Sequence, residues 1–175
     1  DYVIILFMFI AGANFTLSYC ALTGKFKRVI QDEEFKYYSL FVIGFTLLIF
    51  SGLLIFTQLG VEKAFRDALF QVVSIITTTG FATADYMLWQ PILIILIFAL
   101  FFFGGSAGST GGGIKIMRIV LLIKNSYYEL RRIIHPNAVI PVRYNKHAIS
   151  EQIINNVLAF FIFYFIVFFL STIIF

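Results

Sequence analysis

Two short segments of this 175-residue chain carry residue types that could bind an ion or a phosphate. The first, residues 77–81, reads Thr-Thr-Thr-Gly-Phe and is called here the threonine segment. The second, residues 104–113, is called the glycine loop, and it holds six of the 12 glycines together with two serines and a threonine. Threonine and glycine are poor helix formers, so the sequence predicts non-helical backbone in both segments.

The glycine loop contains partial matches to two enzyme motifs. Residues 104–108 fit the G-x-S-x-G nucleophile elbow, in which Ser106 would be the nucleophile. That elbow follows a strand and needs His and acid partners, whereas an apolar helix is predicted before it here. The phosphate-binding pattern that starts at Gly108 fails after Gly113, where Ile stands in place of Lys. A membrane-bound hydrolase built on Ser106 and close helix packing through small residues remain as alternatives.

Both segments lie among stretches that are long enough to cross a bilayer. Hydrophobic residues make up 61% of the chain and charged residues 13%, against about 45–50% and about 25% in soluble domains. Stretches of 23 to 29 residues without Asp, Glu, Lys or Arg cover 2–24, 37–61, 86–114 and 152–175. About 20 apolar residues suffice for a membrane helix. The composition excludes a soluble enzyme and a disordered chain, and it predicts an all-α integral membrane protein whose solvent is the lipid bilayer.

The order of apolar and charged segments predicts repeated units of span, pore helix and span, as in potassium channels. Residues 61–77 have charges only near their start and reach about 26 Å as a helix, so we interpret them as a re-entrant helix that stops inside the membrane. The expected units are the last helix of a preceding repeat at 1–28, a complete repeat at 39–132 (span 39–59, pore helix 62–77, re-entrant filter loop 78–83, broken span 88–123), a cytoplasmic loop at 133–148 and the first helix of the following repeat at 149–175. We interpret the chain as an internal piece of a longer polypeptide.

The basic residues predict the orientation of these spans. Residues 25–36 and 115–146 together hold 11 of the 13 Lys and Arg side chains. Basic residues beside membrane spans stay on the cytoplasmic side. The re-entrant helix is therefore expected to open toward the outside, and the positive charge does not indicate a nucleic-acid partner.

Non-helical backbone at membrane depth is tolerated only where protein buries it or where it lines a water-filled cavity. A Thr/Gly strand after a half-helix can direct successive carbonyl oxygens at a dehydrated cation. Gly80 provides the freedom in φ that such a strand needs, and the partial negative charge at a helix C-terminus favours a cation. The alternative at this point is a polar extracellular loop. For the glycine loop, an unwound segment that obstructs and clears a pore is expected.

Three motifs together resemble the TrkH/TrkG/KtrB superfamily of potassium-uptake transporters, with details that look more like TrkH or TrkG than KtrB. These motifs are residues 77–81, residues 104–115, and His135-Pro136-Asn137-Ala138-Val139 with Pro141-Val142. The resemblance implies four repeats around one pore, and it covers essentially the whole chain. The sequence departs from the channel filter T-V-G-Y-G, because Phe81 stands in place of Tyr and Ala82 in place of the second Gly. Fewer ordered ion sites than in such channels are therefore expected.

The resemblance implies roles for individual residues. One quarter of the filter would come from the carbonyls of Thr78, Thr79, Gly80 and Phe81, with K⁺ held at the first three. The gate would comprise Gly104, Gly105, Ser106, Gly108, Ser109, Thr110, Gly111, Gly112, Gly113 and Lys115. Potassium is then the transported ion, and no organic cofactor or enzyme activity is implied for this chain.

The resemblance also implies a multi-pass protein of the bacterial inner membrane that works as a homodimer with a cytosolic nucleotide-binding subunit of the TrkA type. The alternative function is a secondary transporter for another cation or solute, built on a discontinuous helix. That alternative expects a charged residue embedded in the membrane, and residues 86–114 offer none. Asn14, a polar residue within the first predicted span, is expected to form hydrogen bonds across helices.

Overall fold

The computed structural model describes residues 1–134, 141–145 and 147–174. Its elements, in chain order, are α1 (Tyr2–Gly12), α2 (Phe15–Leu22), α3 (Phe26–Gln31), α4 (Glu33–Phe56), α5 (Val61–Ile76), a 3₁₀ turn (Tyr86–Leu88), α6 (Pro91–Leu100), α7 (Ile116–Ile134), β1 (Arg143–Tyr144), β2 (His147–Ala148) and α8 (Glu151–Ile174). The chain divides into two compact units, Asp1–Met117 and Arg118–Phe175.

Local sequence explains where several helices begin. The Asp32 side chain accepts a hydrogen bond of 3.0 Å from the Phe35 N–H and so caps α4, while Asn14 caps α2 through the Thr16 N–H. Pro91 occupies the first turn of α6, where its missing N–H costs nothing. Each cap satisfies backbone donors that a helix N-terminus would otherwise leave unpaired.

The core of the first unit lies around α5, which packs against α4, α1 and α6. Its side chains Ala64, Ala68, Val72 and Ile76 are fully buried. From the neighbouring helices the fully or nearly fully buried residues are Ile49, Leu53, Leu93, Ile97 and Leu100. Gly52 of α4 gives Leu93 room, since a Cβ there would come within 2.4 Å of the Leu93 side chain. A short helix enclosed by longer ones is thus the organising element of this unit.

The first apolar stretch is broken, whereas a single helix was predicted over 1–28. Helices α1 and α2 meet at 116°, with the break at Ala13 and Asn14. The N–H of Ala13 turns back to the Ile10 oxygen. Asn14 then starts a new helix as its N-cap, so its side chain sits at a helix end instead of within a span.

The second unit contains most of α7, the short hairpin and α8. The guanidinium of Arg118 lies 3.8 Å from the centre of the Phe160 ring, and Lys124 donates to the Arg143 oxygen over 3.0 Å. The antiparallel pair β1–β2 departs from the all-α prediction, although it is only two residues long on each side. Residues 135–140, 146 and 175 lie outside the described residues, and with them the predicted His135–Val139 motif.

Two described helices, α4 and α8, are long and apolar enough to cross a membrane, and the bent pair α1 and α2 gives a third candidate. Helix α6 is apolar but only ten residues long. These helices are compatible with insertion into a bilayer. Many large apolar side chains on α8, among them Phe163 and Phe169, are exposed, as expected where the solvent is hydrocarbon.

Tyr38 joins α4 to the end of α1, and its removal is expected to destabilise this unit. Its side chain is fully buried, its hydroxyl donates to the Phe9 oxygen over 3.0 Å, and its ring stacks on the Phe9 ring. Tyr38→Phe leaves the Phe9 oxygen without that donor, so we expect the free energy of unfolding to fall by about 1 kcal/mol. The check is the thermal unfolding midpoint of the full-length gene product in detergent.

Tyr19→Phe is the matched control, because the Tyr19 side chain is 66% exposed. The control should unfold at the original midpoint. Equal midpoints for Tyr38→Phe and the unmodified protein would contradict the assigned hydrogen bond.

Candidate functional site

The threonine segment begins at the C-terminus of α5 and leaves it without continuing as a helix. The N–H groups of Thr78 and Thr79 donate back to the Ile75 and Ser74 oxygens over 2.9 and 3.0 Å. The Thr79 hydroxyl lies 2.8 Å from the Thr77 hydroxyl, which in turn donates to the Val73 oxygen. The N–H groups of Thr78 and Thr79 are therefore satisfied by the end of α5.

The backbone of this segment alternates in the sign of φ. It is negative at Thr77 and Thr79 but positive at Thr78 and Gly80, with values of +55° and +78° at the latter two. Positive φ at alternate residues prevents this backbone from continuing as an α-helix or a regular strand. A β-branched residue with positive φ is strained at a cost of about 1–3 kcal/mol.

The carbonyl oxygens of residues 76–80 accept no hydrogen bond from any residue that the structure describes, and three of them, those of Thr78, Thr79 and Gly80, belong to exposed residues. The next oxygen differs, because that of Phe81 accepts a hydrogen bond of 2.6 Å from the Ser74 hydroxyl. Carbonyl dipoles aligned in a row can replace part of the hydration shell of a monovalent cation.

The glycine loop connects α6 to α7 and closes on itself at its base. The Gly104 N–H donates to the Ile114 oxygen over 2.9 Å, and the Ile114 N–H donates to the Phe102 oxygen over 3.1 Å. The two limbs touch so closely that a Cβ on Gly104 would lie 2.1 Å from the Gly112 oxygen. Glycine is required at 104 because a backbone atom occupies the place of a side chain.

The glycine loop is docked on the break between α1 and α2. The Ser106 N–H donates to the Gly12 oxygen over 2.9 Å, and the Gly108 oxygen accepts from the Phe15 N–H over 3.3 Å. The Asn14 side chain donates to the Ala107 oxygen over 2.7 Å. Asn14 thus bonds across elements, as predicted, but its partner is backbone of the loop.

Sequence reasoning missed Glu34. This residue falls in a stretch of charges that reads as a polar linker, yet its side chain is only 6% exposed. Its carboxylate accepts a hydrogen bond from the Ala107 N–H. Both backbone polar groups of Ala107 are therefore held by side chains, the N–H by Glu34 and the oxygen by Asn14. No local pattern distinguishes a carboxylate that reaches 73 residues along the chain.

Lys115 and Thr78 tie the glycine loop to its surroundings. The Lys115 ammonium donates to the Ser109 hydroxyl over 3.1 Å and to the Gly111 oxygen. The Gly112 N–H donates to the Thr78 hydroxyl over 2.8 Å. The loop that was predicted as a gate is thus in direct contact with the segment that was predicted as a filter.

Ser106 has none of the partners that a nucleophile needs. Its side chain is fully buried, and its hydroxyl has no hydrogen-bond partner among residues 1–134, 141–145 and 147–174. Helix α6 precedes it, where the hydrolase elbow would have a strand. The structure therefore gives the hydrolase alternative no support.

The comparisons with known proteins agree with the predicted resemblance. The family model of TrkH, described as a cation transport protein, matches residues 1–174. The chain is 37% identical over 174 residues to the Trk system potassium uptake protein TrkH of Escherichia coli K12, covering 97% of this chain and 35% of that protein. It is 31% identical over 167 residues to TrkG of the same strain, covering 94% and 34%.

Among solved structures, the crystal structure of the potassium transporter TrkH from Vibrio parahaemolyticus matches with a TM-score of 0.88 and 36% identity. The match covers 95% of this chain and 36% of that one. The chain spans about a third of the length of the curated relatives that it matches. These relatives are named as transport proteins and not as enzymes. With the family model aligned over almost every residue, the chain belongs to the TrkH family of cation transport proteins.

Proposed function

We propose that this chain forms part of the potassium pathway of a Trk-type uptake protein in the bacterial inner membrane. The observation that carries this proposal is the row of three carbonyl oxygens, at Thr78, Thr79 and Gly80, that no described group hydrogen-bonds. Relatives named as potassium uptake proteins support K⁺ as the ion. In this proposal K⁺ loses water as it enters the row, and the peptide oxygens replace that water.

Three features favour a cation at this place. The row follows the C-terminus of α5, and a helix C-terminus carries partial negative charge. The N–H groups of Thr78 and Thr79, which would repel a cation, are bonded back to α5. Residues 78–81 of the threonine segment are also exposed in this chain, as a surface that faces a water-filled path would be.

The glycine loop is proposed to gate this path. A loop of small residues needs little room to move. Three side chains form hydrogen bonds with the backbone of this loop, those of Asn14, Glu34 and Lys115. Opening would exchange these hydrogen bonds for bonds to water. The proposal includes the homodimer and the cytosolic nucleotide-binding subunit that the resemblance implies, since the relatives are named as members of a Trk system.

Gly80→Ala tests the row of oxygens through the backbone alone. Gly80 has φ of +78°, and nothing lies within 4 Å of the position of a Cβ there. Alanine therefore meets no clash but resists the left-handed conformation by about 1–2 kcal/mol. We expect the ratio of K⁺ to Na⁺ uptake by the full-length gene product to fall by about fivefold or more in a liposome flux assay.

Gly24→Ala is a matched control for this variant. Gly24 has φ of +77° and equally open surroundings, but it lies in the turn between α2 and α3. The control carries the same backbone cost and should leave the ratio unchanged. If Gly80→Ala kept the selectivity of the unmodified protein, the proposed filter would be wrong.

Lys115→Met tests the gate. The substitution removes the charged donor to Ser109 and Gly111 while it keeps most of the side-chain volume. Hydrogen bonds from charged groups are worth about 1.5–3 kcal/mol, so basal K⁺ flux should rise by about tenfold if the loop obstructs the path. Rubidium uptake into proteoliposomes measures this flux.

Lys63→Met, at an exposed lysine on the first turn of α5, is the control and should leave basal flux as it was. A Lys115→Met protein that elutes as the unmodified one does, but shows equal or lower basal flux, would refute an obstructing loop.

A further inference from the structure

Two buried polar side chains of α5 form hydrogen bonds with residues 81–84, the stretch of chain that leaves the threonine segment. Gln71 and Ser74 are each 1% exposed and lie three residues apart, so they share one face of the helix. The Gln71 amide donates to the Ala84 oxygen over 3.0 Å, and the Ser74 hydroxyl donates to the Phe81 oxygen over 2.6 Å. The two acceptors are also three residues apart, so two hydrogen bonds hold residues 81–84 against α5.

The direction of the Ser74 hydrogen bond is unusual for a serine inside a helix. Such a hydroxyl commonly bonds the carbonyl one turn earlier in its own helix, as the Ser51 hydroxyl does with the Leu48 oxygen. Ser74 instead reaches an oxygen seven residues later, outside the helix. A serine that only filled space, or whose hydroxyl bonded within its own helix, would not need the Phe81 oxygen as a partner.

The contact divides the carbonyls of the segment into two groups. The oxygens of Thr78, Thr79 and Gly80 have no donor among the described residues, whereas the Phe81 oxygen is turned to the Ser74 hydroxyl. A carbonyl oxygen that accepts a hydrogen bond from α5 points toward that helix, and so points away from an ion on the opposite side of the strand. The peptide group after Phe81 is therefore where the row ends.

We propose that Ser74, assisted by Gln71, is a specificity-determining positioning residue that ends the row of ion-facing carbonyls at Gly80 by holding the Phe81 oxygen against α5. The inference rests on the proposed potassium path and refines it. It removes the Phe81 oxygen from the set that the resemblance implied. The number and orientation of carbonyls around an ion decide between K⁺ and Na⁺, so a released Phe81 oxygen changes the selectivity of the row.

The test compares Ser74→Ala, Ser74→Thr and Ser51→Ala in the full-length gene product, with K⁺ and Na⁺ uptake measured in the same proteoliposomes. Ser74→Ala should lower the K⁺ to Na⁺ ratio by about three- to tenfold, the range that the loss of one hydrogen bond predicts. Ser74→Thr keeps the hydroxyl and should restore most of the ratio. Ser51→Ala removes an exposed hydroxyl bonded within its own helix and should leave the ratio unchanged.

The ratio separates a positioning role from a merely structural one, because partial unfolding lowers the uptake of both ions together. An unchanged ratio in Ser74→Ala, or an equal fall in Ser51→Ala, would overturn the inference. If Ser74→Ala does not fold, Gln71→Met is the deciding variant, because it removes only the hydrogen bond to the Ala84 oxygen. A K⁺ to Na⁺ uptake ratio below that of Ser51→Ala supports the inference. An equal ratio refutes it. Failure of the unmodified protein to take up K⁺ would instead refute the proposed function.

Discussion

Every backbone polar group removed from water must find a partner, and the first unit of this chain is arranged around that requirement. Two helices are broken, one at Ala13 and Asn14 and the other at the glycine loop. Each break exposes N–H and carbonyl groups that cost several kcal/mol apiece in hydrocarbon. The two breaks meet, so that Gly12 and Phe15 exchange hydrogen bonds with the loop. Each interruption of helical structure thereby satisfies part of the other.

This mutual satisfaction makes the bare carbonyls of the threonine segment more informative. The chain pairs the N–H groups of Thr77, Thr78 and Thr79 with α5 and pairs part of the loop with the α1–α2 break. It leaves the oxygens of Thr78, Thr79 and Gly80 without a partner among the residues described here. We propose that those oxygens bind a dehydrated cation, which is the ligand that peptide oxygens suit.

Thr78 connects the two segments physically. Its backbone is strained, and its hydroxyl accepts a hydrogen bond from the Gly112 N–H of the glycine loop. Movement of the loop therefore removes a partner from a residue whose conformation is held by its surroundings. Such a contact would give the proposed filter and the proposed gate a direct path for mutual influence.

The sequence predicted those features that depend on local composition. The apolar stretches, the non-helical character of residues 77–81 and the family followed from charge-free length, threonine and glycine content and motif spacing. Partnerships between distant segments did not follow. The sequence showed Asn14 only as a polar residue within a predicted span. The bend there was not predicted, because the Asn14 side chain bonds to the Ala107 oxygen, 93 residues away. Glu34 looked like part of a linker for the same reason, and the bond that turns the Phe81 oxygen depends on a strand path that residue types do not specify.

Locating the ion is the most direct test of coordination by the oxygens of Thr78, Thr79 and Gly80. Crystals of the full-length gene product, grown with Rb⁺ or Tl⁺ in place of K⁺, give anomalous scattering that marks each bound cation. We expect peaks within coordination distance of these three oxygens and none beside the Phe81 oxygen. Peaks confined to other parts of the molecule, with the threonine segment empty at saturating ion concentration, would contradict this assignment.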